Sequence, residues 1–87
     1  MSDKFSNTQK ISFRGKEYRP DANEVLMDVR HALEEKGYDP VVQIVGYLLS
    51  GDPTYITGHN NARNMIARME RDELMEVIVD FYLKGNV

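Results

Sequence analysis

Cysteine and tryptophan are absent from this chain, histidine occurs twice, and no apolar run is long. Without cysteine, neither a disulfide framework nor a thiolate metal site can form. The longest nearly apolar run, VVQIVGYLL, is about half as long as a bilayer-spanning helix requires. Residues 1–10 also lack the apolar segment of a signal peptide. We therefore expect a cytoplasmic protein that does not insert into a membrane.

What the chain does have is an uneven distribution of charge over its 87 residues. Residues 1–20, the basic arm, carry five basic and two acidic groups and sum to +3. Residues 21–87, the body, carry six basic and twelve acidic groups and sum to −6. The arm is polar and has no helical period, so we expect it to be flexible, with a short hairpin over ISFRGKEYR as the alternative. The body is expected to be one small domain that forms a homodimer, because so short a chain buries little surface alone.

The first helix of the body is marked at both ends. Asp21 and Glu24 form a capping-box pattern at its start, and Gly37 indicates its end, with Tyr38 placed to fold back onto the last turn. Between these signals, apolar residues recur at helical spacing. This apolar stripe consists of Val25, Leu26, Val29 and Leu33.

Asp39 and Pro40 predict the start of a second helix, and Gly51 predicts its end. The run VVQIVGYLL between them is apolar on nearly every face. Such a helix is expected in the centre of a fold or in contact with a second subunit. Gly46, which costs a helix about 1 kcal/mol relative to alanine, indicates that another helix approaches closely there.

The rest of the body is predicted to contain a short helical turn and two more helices. Asp52 and Pro53 start the turn, and Asn60 or Asn61 caps the third helix. A bend at residues 70–72 separates the third helix from the fourth. The apolar stripes of these two helices are Ala62, Met65, Ile66 and Met69, then Leu74, Val77, Ile78, Phe81 and Tyr82. The predicted fold is all-α, a compact bundle of about four helices plus the short turn.

The stretch SGDPTYITGHNNAR, residues 50–63, concentrates the side chains that could carry chemistry. Neither His31 nor His59 has a second histidine at helical spacing, and His59 with Asp52 would make only a weak site, so we predict no metal site. The hydroxyl residues near His59 are not part of a nucleophile motif, and no glycine-rich phosphate loop is present. We therefore predict a protein that is not an enzyme and has no catalytic residues and no cofactor.

Residues 60–71, NNARNMIARMER, suggest a different function. They follow the short turn and are rich in asparagine and arginine, the residue types that read base edges in DNA. A small dimeric helix-turn-helix DNA-binding regulator is therefore the alternative function. The negative body disfavours binding to nucleic acid, because neutralising phosphates requires clustered positive charge.

The basic arm offers sites for covalent modification. Thr8 lies in the polar segment SNTQKISF, which a kinase could bind in an extended form. A phosphate there would add about −1.5 to −2 charge and nearly cancel the arm's charge of +3. By composition alone, Ser2, Ser6 and Ser12 are equally good acceptors.

One long pattern is more specific than these local signals. It runs through residues 34–85 as GYDPV-QIVGYLLSGDP-YI, then H-NAR, then ERDE. This pattern resembles the IreB/ReoM family of regulatory phosphoproteins from Gram-positive bacteria. The resemblance implies a helical, cytosolic homodimer with a flexible N-terminal segment. It also implies a substrate of a membrane serine/threonine kinase of the PASTA type, with a partner phosphatase that reverses the modification.

The same resemblance implies negative regulation of peptidoglycan synthesis and of antibiotic resistance, in part as an adaptor for proteolysis of a precursor enzyme. It assigns the phosphoacceptor to Thr8, the only threonine before residue 54. It assigns partner-binding roles to His59 and Arg63. The family often has arginine immediately before this histidine, whereas this chain has Gly58, so the resemblance does not imply a full cationic patch here.

Overall fold

The helices predicted for the body are present in the structure, a computed structural model that describes residues 21–85. They are α1 (Ala22–Glu35), α2 (Pro40–Ser50), α3 (Ala62–Ala67) and α4 (Arg71–Gly85), with 3-10 turns at Pro53–Tyr55 and His59–Asn61. The predicted all-α class is confirmed. Among these helices, none is long and apolar enough to cross a bilayer. The basic arm, which includes Thr8, lies outside the described residues. Its flexibility and the modification of Thr8 therefore remain predictions.

Local hydrogen bonds begin and end α1 where the sequence predicts. The Asp21 carboxylate accepts the Glu24 N–H over 2.8 Å. At the other end, Gly37 has a φ of +83°, and the Tyr38 N–H donates to the Leu33 carbonyl at 2.9 Å. This left-handed turn satisfies a carbonyl that has no partner inside the helix, and glycine adopts it without steric cost.

The core is built around α1, whose apolar stripe packs against α3 and α4. Val25, Val29 and Leu33 are fully buried as predicted, and Leu26 is partly buried. Each fully buried side chain of this size contributes about 1.5–3 kcal/mol, so the stripe is the main stabilising surface. The other elements contribute Tyr47, Ile56, Ala62, Ile66 and Leu74 to the same core.

α2 lies at the edge of the described fold, so the prediction that it is central within one chain was wrong. Only Tyr47 is buried, because α2 packs along one side against α1 and the first 3-10 turn. The α2 apolar face is exposed and consists of Val41, Val42, Val45 and Leu49. Contact with a second subunit, the other explanation for a helix that is apolar all round, remains a prediction.

Gly46 in α2 makes room for an aromatic ring rather than for another helix. A Cβ atom at this position would overlap the ring of Tyr55 in the first 3-10 turn. A hydrogen bond of 2.9 Å from Gln43 Nε2 to the Tyr55 carbonyl ties the same turn to α2. The close approach was predicted correctly, but the approaching element was not.

Two hydrogen bonds hold the end of α2, one from Gly51 and one from Arg71. Gly51 has a φ of +75° and donates its N–H to the Tyr47 carbonyl at 2.7 Å. Arg71, the first residue of α4, donates from Nη1 to the Leu48 carbonyl at 3.0 Å. A cation at the carboxyl end of a helix is favoured by the helix dipole, so Arg71 connects α4 to α2 at a stabilising position.

The third helix is shorter than predicted because it ends at Ala67, before the predicted bend at residues 70–72. Asn60 and Asn61 have φ values of +53° and +64°, the left-handed region that asparagine tolerates better than most residues. α3 starts at Ala62, directly after these two residues, and has six residues. Asn61 occupies the N-cap position as predicted, but its side chain makes no capping hydrogen bond. Met69 lies beyond the end of α3 and still packs on the core.

Candidate partner-binding site

The candidate site is the segment from the end of the first 3-10 turn to the start of α3, residues 56–63. We call this segment the connection. Its first residue, Ile56, is fully buried in the core, and so is Ala62 near its other end. The residues between them are partly or fully exposed. The connection is thus anchored by an apolar side chain near each end and presents polar groups at the surface. His59 and Arg63, the predicted partner-binding residues, both lie in it.

Arg63 is held by two hydrogen bonds to the backbone of the connection. Its Nε donates to the Ile56 carbonyl over 2.8 Å, and its backbone N–H donates to the Thr57 carbonyl over 3.1 Å. Hydrogen bonds from a charged donor are stronger than those between neutral groups. Arg63 therefore closes the connection into a loop and still remains exposed to solvent.

His59 links the connection to the end of α1. Its Nε2 lies 2.7 Å from Oε1 of Glu35, and Nδ2 of Asn60 donates to the same oxygen at 3.3 Å. The His59 backbone N–H donates to the Thr57 hydroxyl at 3.2 Å. An exposed pair of this kind contributes at most about 1 kcal/mol, so its main effect is to position the loop.

Thr57 links the backbones of His59 and Arg63, because its hydroxyl accepts the His59 N–H and its carbonyl accepts the Arg63 N–H. Neither Thr57 nor Glu35 was identified from the sequence as part of this site. A threonine two residues before a backbone N–H is a known local hydrogen-bonding pattern, so Thr57 could have been found. Glu35 could not, because it is 24 residues from His59 and no local pattern indicates the contact.

A carboxylate at the start of the first 3-10 turn adds negative charge to this region. The Thr54 hydroxyl donates to Asp52 Oδ1 at 2.7 Å and lowers the pKa of Asp52, and the Thr54 backbone N–H lowers this pKa further. Partial desolvation acts in the opposite direction, and the positive charge of Arg63 again lowers the pKa. The region therefore carries charges of both signs, which suits hydrogen bonding to a polypeptide better than capture of a free anion.

Gly58 leaves open space beside Arg63. Its φ is −77°, and a Cβ atom added there would lie 3.9 Å from Arg63 Nη1, an ordinary contact distance. The backbone therefore does not require glycine at this position. The site presents a smaller cationic surface than it would with an arginine before His59.

Two other kinds of site find no support in the described residues. Between residues 21 and 85, no three histidine or carboxylate side chains are grouped as metal ligands. Residues 60–71 do not form the single recognition helix that the DNA-binding alternative requires, since α3 has six residues and ends before Arg68. The nitrogen Nε of Arg63 is also already bonded to the Ile56 carbonyl.

Comparison with known proteins connects this arrangement to one family. Residues 6–84 match the family described as IreB regulatory phosphoprotein. The chain belongs to the IreB family. A UPF0297 protein from Ruminiclostridium cellulolyticum is 56% identical over 66 residues, which cover 76% of this chain and 75% of that relative. The residues matched by the IreB family include Thr8 and the whole connection, and the resemblance seen in the sequence is thereby confirmed.

Proposed function

We propose that this IreB-family protein is a non-enzymatic, cytoplasmic homodimer that regulates other proteins by direct contact and is switched by phosphorylation of Thr8. A membrane serine/threonine kinase adds the phosphate and a partner phosphatase removes it. The regulated process is peptidoglycan synthesis, which the protein restrains together with antibiotic resistance, with control of proteolysis as one route. The observation that carries the proposal is the match of residues 6–84 to the IreB regulatory phosphoprotein family.

The geometry of the connection supports its role in binding a protein partner. Because hydrogen bonds to Ile56, Thr57 and Glu35 hold the loop, little conformational entropy is lost when a partner binds. Arg63 uses its Nε–H inside the loop, and arginine has further N–H groups that can reach a partner. In the proposed mechanism, the unmodified protein contacts its partner through Arg63 and His59, and a phosphate on Thr8 weakens or redirects that contact.

The α2 apolar face supports the homodimer. Leu49 is 81% exposed and Val41 is 70% exposed, which is unusual for large apolar side chains that form one contiguous patch. No charged residue occurs between Pro40 and Ser50, so a second copy could cover this face without burying a charge. A symmetric dimer brings the same patch of both subunits together, and this patch is apolar on both sides of such a contact.

Mass spectrometry of phosphopeptides tests the modification site. The full-length protein is incubated with the kinase and magnesium ATP, alongside a Thr8→Ala variant as the control. We expect phosphate on Thr8 and none on the variant. Phosphate on Ser2, Ser6 or Ser12 with Thr8 unmodified would overturn the assignment.

Comparing the proteins that co-purify with the wild type and with its variants tests whether the connection binds a partner. Partners that co-purify with the wild type are expected to be lost with Arg63→Ala and reduced with Thr8→Glu. Arg30→Ala is the matched control, because Arg30 is an exposed arginine on α1 that pairs with Glu34 at 3.1 Å, outside the connection. Retention of the same partners by Arg63→Ala would show that they bind elsewhere.

A further inference from the structure

One side of α4 carries two parallel rows of side chains that form a shallow groove of about 430 Å³. Members of each row are four residues apart, so each row follows the helix axis on one face. The apolar row is Met75, Val79 and Leu83, and the acidic row is Asp72, Glu76 and Asp80. All three apolar side chains are exposed. The two rows together are called the α4 groove.

The charges of the α4 groove are only partly compensated by its neighbours. Asp80 pairs with Lys84 at 3.2 Å in an exposed contact, and Asp72 accepts the Glu73 N–H at 2.9 Å. One lysine against three carboxylates leaves this side of the helix negative. An occupant that covers the groove must therefore supply apolar side chains and positive charge at the same time.

A second copy of the body does not meet this requirement. If two α4 grooves faced each other in an antiparallel symmetric dimer, their acidic rows would meet, and like charges at an interface oppose association. In a parallel dimer, the acidic row of each helix would lie against the apolar row of the other and be buried without partners. The α2 apolar face of a second copy has no charged residue to pair with the carboxylates, which would be buried without partners. All three arrangements are disfavoured by charge.

The basic arm does supply both apolar side chains and positive charge. Residues 10–19, KISFRGKEYR, contain four basic residues and one acidic residue, and therefore carry a charge of +3. Three large apolar side chains, Ile11, Phe13 and Tyr18, are interleaved with these charges. This composition complements an apolar row that lies beside an acidic row, and opposite charges both attract and orient the segment.

The length of the arm allows this contact. The arm joins the body at Asp21, the N-cap of α1, and α4 packs against α1. With a rise of 1.5 Å per residue, the two helices are each only about 21–23 Å long. Residues 10–20 in an extended form span about 36–40 Å, which is longer than either helix.

We propose that residues 10–19 of the basic arm dock along the α4 groove of the same chain. Their arginines and lysines lie opposite the acidic row, and their apolar side chains cover Met75, Val79 and Leu83. The docked arm protects an apolar surface from water in the unmodified protein. The proposal rests neither on the phosphorylation of Thr8 nor on any partner at the connection.

Because the natural chain has no cysteine, a single Ser12→Cys substitution gives a unique position for a nitroxide spin label on the full-length protein. We expect paramagnetic broadening of the amide signals of Met75, Glu76 and Val79 in nuclear magnetic resonance spectra. Raising the salt concentration should reduce the broadening, because the Debye length falls from about 10 Å at 0.1 M to about 3 Å at 1 M.

Glu76→Lys reverses a charge in the middle of the acidic row and should restore these amide signals. Asp28→Lys is the matched control, since Asp28 is an exposed carboxylate of α1 and the change in net charge is the same. The control is expected to leave the broadening in place. Dispersed spectra of both variants establish that they are folded, and substitutions at exposed sites of this kind usually have little effect on stability.

Three results would overturn the proposal. The first is the absence of broadening along α4 in the wild-type sequence. The second is equal broadening in Glu76→Lys. The third is broadening that arises only between spin-labelled and isotope-labelled molecules mixed in one sample, which would show that a second copy occupies the groove.

Discussion

At the scale of single residues, three glycines within thirteen positions are present for three different reasons. Gly46 leaves room for the ring of Tyr55, which a Cβ atom would overlap. Gly51 has a φ of +75°, and a Cβ atom there would also come within 2.9 Å of Arg71 Cζ. Gly58 has neither constraint. Identical residues in the sequence therefore differ in what a substitution would do, and only the surrounding atoms distinguish them.

Gly46→Ala is expected to lower the free energy of unfolding by about 1–3 kcal/mol, because the added methyl group overlaps the Tyr55 ring. In a Tyr55→Ala background the same substitution should instead raise it by about 1 kcal/mol, which is the gain in helix propensity. Urea unfolding of the four proteins in this double-mutant cycle measures both values. The same effect in both backgrounds would show that the ring is not the reason for the glycine.

At the scale of secondary-structure elements, capping chemistry decides where helices begin and end. The bounds of α1 and α2 could be predicted because Asp21, Asp39, Gly37 and Gly51 act through hydrogen bonds and dihedral angles within a few residues. The N-cap position of α3 could also be predicted, but the backbone conformation of the asparagines before it could not, because an asparagine can either cap a helix or adopt a left-handed conformation. Asn60 and Asn61 both do the latter.

The cap of the first 3-10 turn is expected to make stability depend on pH. The pKa of Asp52 in the folded protein is below its ordinary value, chiefly because of the Thr54 hydroxyl. The stabilisation is therefore present at neutral pH and is lost as the pH falls below the ordinary aspartate range and through the folded-state pKa. Accordingly, the difference in unfolding free energy between the wild type and Asp52→Asn should shrink as the pH is lowered.

Urea unfolding at a series of pH values measures this difference. Thr54→Ala provides the matched background, because it removes the hydroxyl group that contributes most to the lowered pKa. The pH-dependent part of the Asp52→Asn effect should be smaller there. An Asp52→Asn effect that does not vary with pH would contradict the assignment.

At the scale of the whole molecule, two of the exposed apolar surfaces among residues 21–85 differ in charge. The α2 apolar face lies on a helix without charged residues, whereas the α4 groove has a row of carboxylates beside its apolar row. An uncharged surface can pair with a copy of itself, and an acidic one pairs better with a basic segment. This difference separates the proposed dimer contact from the proposed docking site of the arm.

Leu49→Glu is expected to weaken the homodimer at least tenfold, a cost of about 1.4 kcal/mol, because it places a charge within the α2 apolar face. The folded monomer should be unaffected, since Leu49 is 81% exposed within one chain. Leu83→Glu in the α4 groove is the matched control and should still dimerise. Sedimentation equilibrium of the three proteins measures their association, and a monomeric wild type would refute the dimer.

The sequence by itself determined the all-α class, the ends of α1 and α2, and membership of the IreB family, because these depend on local hydrogen bonds and on a long continuous motif. Only the tertiary structure decided that α1 rather than α2 forms the centre of the core. It also decided that Glu35 contacts His59 and that Tyr55 contacts Gly46. Hydrophobic periodicity shows that a helix has an apolar surface, but packing between distant segments decides which surface is buried and which is left exposed.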